Sequence, residues 1–345
     1  MSPDDANWVG LLFGLALITT VASTCWLCTK NLRSWAINVS LLSLTFPMQI
    51  LLERGNIDTV LFLLLSLFCL SVWLPGIAAI LLANIVNAFS ISLKLYPSIG
   101  TMGWLIYSII APMSTTRKRV LNLSLVFITA ALVVYTASTM EITNVVASGG
   151  LGSHGLAAVG YLNAMVINTL GPGPGRIAIY SLIGLKLLSA TGGLASGLVF
   201  GQKLALPREM RGLPNGSLAD LYINTFIMIS TTVSLGCYIS NIGYDYRLIF
   251  LFPLIALVLS NLLDNPHLSP TRKQLLMVVA AAFMLVFYLP FFSFLDSDTL
   301  TSLEMVDEII AAPFLFSCLG GFWINLFQSL PSKVASHLPA SAPLR

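Results

Sequence analysis

The chain has 345 residues, of which 57% are hydrophobic and only 9% are charged, and its formal net charge is +3. Soluble domains carry about 25% charged residues, so this composition excludes a soluble globular protein and indicates a chain surrounded by lipid. The small net charge gives no reason to expect a nucleic-acid partner. The five cysteines lie within apolar runs, so we interpret them, including Cys25 and Cys28, as packing residues.

Long apolar runs predict an all-α protein, a polytopic integral membrane helical bundle of about eleven transmembrane helices, each needing about 20 mainly apolar residues. The first run follows an acidic leader and is predicted to be a span rather than a cleaved signal peptide. Residues 1–330 form the single predicted transmembrane domain, and 331–345 form a loose cytoplasmic tail. The predicted spans are residues 8–28, 36–52, 57–74, 76–93, 98–113, 120–140, 177–200, 221–240, 247–263, 274–291 and 306–329.

The distribution of lysine and arginine predicts the orientation of the chain. Most of the 17 basic residues fall in one set of alternate loops, which the positive-inside rule makes cytoplasmic. The N-terminus is then expected outside and the C-terminus in the cytoplasm. A short apolar segment, 156–170, would reverse the later loops if it crossed the membrane. We therefore predict an external re-entrant or interfacial segment at about 151–175.

Four basic residues remain on the predicted outer side, each at the outer end of a span. If they meet on one face of the bundle, they suit an anionic head group, such as a phosphate or pyrophosphate carried on a lipid. Asp58 and Asp245 could then act as acids, bases or sugar-hydroxyl acceptors, or pair with these cations. Anchoring of helix ends at the interface is the alternative interpretation. The four are Arg54, Lys94, Arg176 and Arg247.

Polar residues also lie within the predicted spans. Asn84, Asn87 and Lys94 have the spacing of one helix face, which predicts a polar stripe facing the bundle interior or an aqueous cavity. Hydrogen bonding between helices is the alternative. Lys186 lies near the middle of its span and needs a buried partner, such as a lipid phosphate or a neighbouring carbonyl.

The sequence predicts neither a metal site nor a nucleotide site. The acidic loop 292–308 has no recognisable ligand spacing, and His154, His267 and His337 are scattered. No P-loop or dinucleotide fingerprint is present. We expect no cofactor, and a divalent cation stays open as an alternative.

Three short motifs carry a resemblance to a known family. They are "ERGNIDTVLFLLL", "SISLKLYP" about 40 residues later, and "YDYRLIFLFPLIAL". Across roughly residues 50–260 the chain resembles the polytopic GT-C membrane glycosyltransferases, especially the branch similar to bacterial polyprenyl-phosphate-mannose-dependent mannosyltransferases. In that branch a Gly-Asn pair opens one span, a Lys-x-x-Pro motif ends the next, and a Tyr-Arg pair leads into a span that contains proline.

The resemblance implies a GT-C-like bundle in a bacterial inner membrane. It also implies transfer of a sugar from a polyprenyl-phosphate donor to a lipid or glycan acceptor on the extracytoplasmic face. The cations would neutralise the leaving phosphate, and a carboxylate would take the proton of the acceptor hydroxyl. The implied substrate-binding residues are Arg54, Asn56, Asn87, Lys94, Tyr96, Arg176, Asp245, Tyr246 and Arg247.

The catalytic carboxylate is less well defined by the resemblance. The family usually begins inside, crosses once and places a catalytic aspartate early in the first external loop. This sequence is predicted to begin outside, which leaves Asp4 and Asp5 near the first span as the matching candidates, together with Asp58. Two other interpretations stay open: a transporter or flippase of a lipid-linked or anionic solute, and an inactive or truncated member of the family.

Overall fold

The computed structural model describes residues 3–29, 31–54, 57–109, 111, 113–139, 153–154, 167–168, 170–203, 217–239, 243–265, 268–292 and 306–336. Nearly all of these residues lie in helices, so the predicted all-α architecture is confirmed for them. The α-helices are α1 (Pro3–Thr29), α2 (Leu32–Ser43), α3 (Phe46–Arg54), α4 (Ile57–Ser71), α5 (Ile77–Leu93), α6 (Pro97–Ser108), α7 (Thr115–Thr139), α8 (Pro172–Lys203), α9 (Leu218–Ile239), α10 (Phe252–Asp264), α11 (Pro270–Phe292) and α12 (Ala312–Ser336).

Three short elements complete the described chain. A 3₁₀-helix (Asp245–Leu251) leads directly into α10, and a π-helix (Asp307–Ala311) leads into α12. Two-residue strands, Ser153–His154 and Gly243–Tyr244, pair antiparallel. Most of the predicted re-entrant segment 151–175 lies outside the described residues. Helix α12 extends beyond residue 330, where the loose tail was predicted to begin, and 337–345 lie outside the described residues.

Six described helices are long and apolar enough, by length and composition, to cross a membrane, which agrees with the predicted membrane protein. Three shorter apolar helices accompany them: Ile57–Ser71, Ile77–Leu93 and Ile309–Asn325. The six candidate spans are Gly10–Thr29, Thr115–Thr136, Pro172–Phe200, Leu218–Ile239, Arg247–Asp264 and Pro270–Tyr288.

One predicted span, 36–52, is divided into two helices. Helix α2 ends at Ser43 and α3 begins at Phe46. Pro47 explains the break, because its ring would clash with the carbonyl one turn earlier if α2 continued through it, whereas proline is tolerated in the first turn of α3. The Thr45 hydroxyl donates to the Leu42 carbonyl at 2.7 Å and so satisfies one of the last carbonyls of α2.

Helices α9 and α10 form the centre of the bundle, while α7 and α8 lie at its periphery. Most of the α9 and α10 spans is buried inside the protein, against only 11% of the α7 and α8 spans. The outer helices expose large apolar side chains such as Phe127 and Leu188. A helix that is apolar on its outward side is expected where lipid is the solvent.

Close backbone contact joins α8 to α12. A Cβ atom added at Gly193 would lie 2.2 Å from the Phe314 carbonyl oxygen, and one at Gly197 would lie 1.9 Å from that of Cys318. Gly321 presents the reciprocal contact to α8. Small residues spaced four apart let membrane helices approach in this way.

Candidate functional site

A buried ion pair links the first turn of α4 to the end of α5. Asp58 is completely buried, and the Lys94 ammonium donates to its Oδ1 at 2.9 Å. The Tyr96 hydroxyl donates to the same oxygen. Asp58 sits at a helix N-terminus and Lys94 at a helix C-terminus, where the helix dipoles favour these charges.

The turn between α5 and α6 places Lys94 and Tyr96 together. Lys94 ends α5 with extended backbone, and Tyr96 precedes Pro97, which occupies the first turn of α6. Proline suits this position because the first helical N–H has no partner within the helix. The Lys-x-x-Pro motif therefore builds a turn that points both side chains at Asp58.

Arg247 completes the group from the 3₁₀-helix. Its guanidinium carbon lies 4.9 Å from the centre of the Tyr96 ring, and the Lys94 nitrogen lies 5.8 Å from it, both within cation–π range. Burial, with the Asp58 carboxylate adding to it, raises the pKa of the Tyr96 phenol, so the hydroxyl stays protonated and donates a hydrogen bond to Asp58. We call Asp58, Lys94, Tyr96 and Arg247 the polar cluster.

Aromatic rings form an apolar layer beneath the polar cluster. The ring of Tyr96 meets Phe250 at 5.8 Å between centroids, and Phe250 meets Phe62 at 6.0 Å. Phe62 lies one turn after Asp58, and Phe250 lies one 3₁₀ turn after Arg247. The charges of the cluster therefore act beside apolar surroundings, where electrostatic interactions are stronger than in water.

Several predicted site residues have side chains outside the described part of the structure. Arg54 is the last residue of α3, and Asp245 and Tyr246 open the 3₁₀-helix. Asp4 and Asp5 lie in the first turn of α1, and Asn56 is not described. Their assigned roles stay predictions.

Arg176 and Asn87 have no contact with the polar cluster among the described side-chain contacts. Arg176 is exposed near the start of α8, a helix that packs chiefly against α12. Asn87 is buried between helices, where its amide donates to Thr129 at 3.0 Å and accepts from Thr101 at 2.9 Å. Its contacts are those of the alternative interpretation, hydrogen bonding between helices.

The other two residues of the predicted polar stripe, Asn84 and Lys94, differ in their contacts. Asn84 donates to Ser124 on α7 at 2.9 Å, so it also joins helices. Lys94 is the only residue of this stripe that belongs to the polar cluster.

Lys186, in the middle of α8, is half-buried.

A second polar region, which the sequence analysis did not predict, lies at the opposite end of the same helices. A cavity of about 360 Å³ is lined by residues of α1, α9 and α10. Its lining includes Asp220, Asn224, Ser260 and Asp264. The sequence carries a signal for it, because the two pairs Asp220/Asn224 and Ser260/Asp264 each have the one-turn spacing of a helix face.

The two polar regions are separated by about the thickness of a bilayer. From Arg247 to Asp264 the chain is continuously helical, which corresponds to roughly 28 Å of rise. The hydrocarbon core of a membrane is about 30 Å thick. This spacing agrees with a bundle that presents one polar region at each membrane face.

Comparisons of the chain with known protein families, with curated proteins and with solved structures find no match. Among the described residues, no group of three or more His, Cys, Asp or Glu side chains is placed to hold a metal ion. The acids Asp296, Asp298 and Glu304 of the predicted acidic loop lie outside the described residues.

Proposed function

We propose that the protein is a membrane glycosyltransferase with a GT-C-like bundle, which transfers a sugar from a polyprenyl-phosphate donor to a lipid or glycan acceptor. The reaction would take place on the extracytoplasmic face of a bacterial inner membrane, with the N-terminus outside and the C-terminus in the cytoplasm. The observation that carries the proposal is the polar cluster, in which a lysine and an arginine flank one buried carboxylate. Membrane lipid and the lipid-linked sugar are the expected partners.

The finer topology of about eleven spans belongs to this proposal. It requires that α4, α5 and α6 cross the membrane despite their length, and that α2 and α3 together form one broken span. A broken helix is tolerated at membrane depth where its free backbone groups are satisfied, as Thr45 satisfies the Leu42 carbonyl.

The two cations of the polar cluster suit a phosphodiester as the ligand. Lys94 pairs with Asp58, and Arg247 lies against the ring of Tyr96. A sugar linked to a polyprenyl phosphate carries one negative charge at its phosphodiester. The Arg247 guanidinium suits bidentate contact with phosphate oxygens, while Lys94 stays anchored to Asp58.

The chemistry requires that negative charge grow on the phosphate as it leaves the sugar. Fixed cations in apolar surroundings stabilise that charge without reorganisation. An acceptor hydroxyl must lose a proton to a carboxylate. Asp58 can take this role where the acceptor replaces Tyr96 as its donor, and Asp4 and Asp5 are the other candidates.

The test is sugar transfer by the purified chain in detergent micelles, with labelled polyprenyl-phosphate sugar as donor. Arg247→Gln is expected to lower the transfer rate by about 100-fold, the loss typical of removing one group that stabilises transition-state charge. Arg119→Gln removes an exposed arginine at the start of α7 and should transfer at the rate of the unmodified protein. Direct transfer from a labelled nucleotide sugar would contradict the proposal.

A transporter or flippase of a lipid-linked or anionic solute is the second candidate. The bundle does present polar regions at both ends, as transport requires. However, the second region is lined by Asp220 and Asp264, whose negative charges would repel an anion. We therefore rank transport below sugar transfer. An inactive or truncated member of the family is the third candidate, and it predicts donor binding without transfer.

A further inference from the structure

The cavity at the end of the bundle opposite the polar cluster has the size of a small-ligand site. Its volume of about 360 Å³ lies at the lower end of the range for ligand pockets. It is partly open, and it lies where α1 ends, α9 begins and α10 ends. The orientation predicted from the basic residues makes this the cytoplasmic face.

Two carboxylates give the cavity a negative charge. The Asp264 carboxylate accepts hydrogen bonds from the hydroxyls of Thr29 and Ser34. Asp220 accepts from the Ser217 hydroxyl at 2.6 Å and from the Ser217 backbone N–H at 3.3 Å, and the second of these bonds caps the start of α9. These donors are all neutral, so they orient the carboxylates without cancelling their charge. The lining, as far as the structure describes it, contains no lysine, arginine or histidine.

Asn224 supplies a second and independent indication of a ligand. Its residue is only 3% exposed, and it lines the cavity. No residue in the described part of the chain makes a hydrogen bond with its amide side chain. Because the side chain lines the partly open cavity, its amide presents a hydrogen-bond donor and an acceptor to whatever occupies the cavity.

One part of the cavity wall is apolar and is formed by Leu27, Ile223, Ile227 and Leu257. Further polar lining comes from Thr29, Ser260, Asn261 and Asn265. A hydrated metal ion gains nothing from the apolar part, and among the described residues no group of three or more His, Cys, Asp or Glu side chains is placed to hold a metal ion. A short hydrocarbon chain, in contrast, would bury its surface against the apolar part.

We propose that this cavity binds a small organic ammonium ion, a mono- or diamine. Its cationic nitrogen would lie between Asp220 and Asp264, its hydrocarbon part would contact the leucine and isoleucine walls, and a polar group would pair with Asn224. This site lies apart from the polar cluster and does not depend on the function proposed for that cluster.

Isothermal titration of the purified full chain in detergent micelles tests the proposal, at constant ionic strength. The probe is putrescine, a short aliphatic diamine, and the control is butanediol, its uncharged hydroxyl analogue. Putrescine is expected to bind saturably below about 10 mM, whereas butanediol should produce no binding. Asp220→Asn and Asn224→Leu should each weaken putrescine binding by about 10-fold or more.

A matched variant separates a local effect from a general loss of negative charge. Asp307→Asn removes another buried carboxylate, from the π-helix before α12, and should leave putrescine binding unchanged. Asp220→Asn keeps an oxygen that can accept from Ser217, so this variant decides the matter if Asn224→Leu does not fold. The proposal is overturned if putrescine does not bind, if butanediol binds equally well, if Mg²⁺ competes for the same site, or if the cavity variants bind as tightly as Asp307→Asn.

Discussion

Lys94 and Asp58 form an ion pair at 2.9 Å in which the carboxylate is completely buried and the lysine side chain is 26% exposed. The asymmetry matters, because the exposed part of the lysine side chain faces the surface while its ammonium stays paired with the buried carboxylate. Removing a charge from water is costly, and an opposite charge in good geometry offsets that cost. The pair therefore fixes the end of α5 against α4 and keeps a cation beside Arg247.

We predict that the two charges of this pair depend on each other for stability. Lys94→Met leaves the buried Asp58 charge without its cation and should lower the free energy of unfolding by about 2 kcal/mol, less than for a fully buried pair because Lys94 is partly exposed. Adding Asp58→Asn should recover most of that loss. Reversible unfolding in mixed detergent micelles measures both quantities. Two single losses that simply add in the double variant would contradict a coupled pair.

A second prediction isolates the tyrosine hydroxyl of the polar cluster. Tyr96→Phe removes the donor to Asp58 but keeps the ring that contacts Phe250 and Arg247. We expect a loss of about 1.5 kcal/mol in the free energy of unfolding, the value for a hydrogen bond to a charged group. Tyr135→Phe is the matched control, since Tyr135 is 66% exposed. Equal effects of the two substitutions would show that the Asp58 contact contributes nothing.

The approach of Lys94, Asp58 and Arg247 could be predicted from the sequence because all three lie at ends of apolar runs on one predicted side. Alternation of the spans restricts such residues to a single membrane face, where a few helix ends meet. The turn motif Lys-x-x-Pro adds a local reason for the position of Lys94. The location of Arg176 could not be predicted in this way, because a shared membrane face does not determine which helix ends are neighbours, and α8 packs chiefly against α12.

The polar stripe on α5 illustrates a different limit. Spacing shows that Asn84 and Asn87 share a helix face, but an amide can meet a cavity or a hydroxyl on the next helix equally well. Ser124 and Thr129 on α7 accept the hydrogen bonds of these two amides. No pattern within α5 itself indicates that α7 packs against this face. The break at Pro47, in contrast, has a local cause in the sequence, because proline disrupts a helix interior. Apolar composition alone does not reveal this break.

A third prediction concerns the contribution of Asn87 to stability. Asn87→Leu removes its bonds to Thr129 and Thr101, and we expect a loss of about 1 kcal/mol, the size of hydrogen bonds between membrane helices. Ser92→Ala on the same helix is the control, because its exposed hydroxyl bonds only to the Ala88 carbonyl of its own helix. Loss of stability in both variants alike would argue against a specific contact between helices.

The last prediction tests the glycine contact between α8 and α12. Gly197→Ala places a methyl group 1.9 Å from the Cys318 carbonyl oxygen, a backbone atom that cannot rotate away, so the helices must separate. Overpacking of this kind costs about 1–3 kcal/mol, and we expect the upper part of that range in the free energy of unfolding. Gly192 lies on another face of α8, where an added Cβ atom would meet no atom of another helix within 4 Å. Gly192→Ala should therefore stabilise α8 by about 0.5 kcal/mol, because alanine favours the helical conformation. If both substitutions had the same sign and size, α8 and α12 would not be in backbone contact at Gly197.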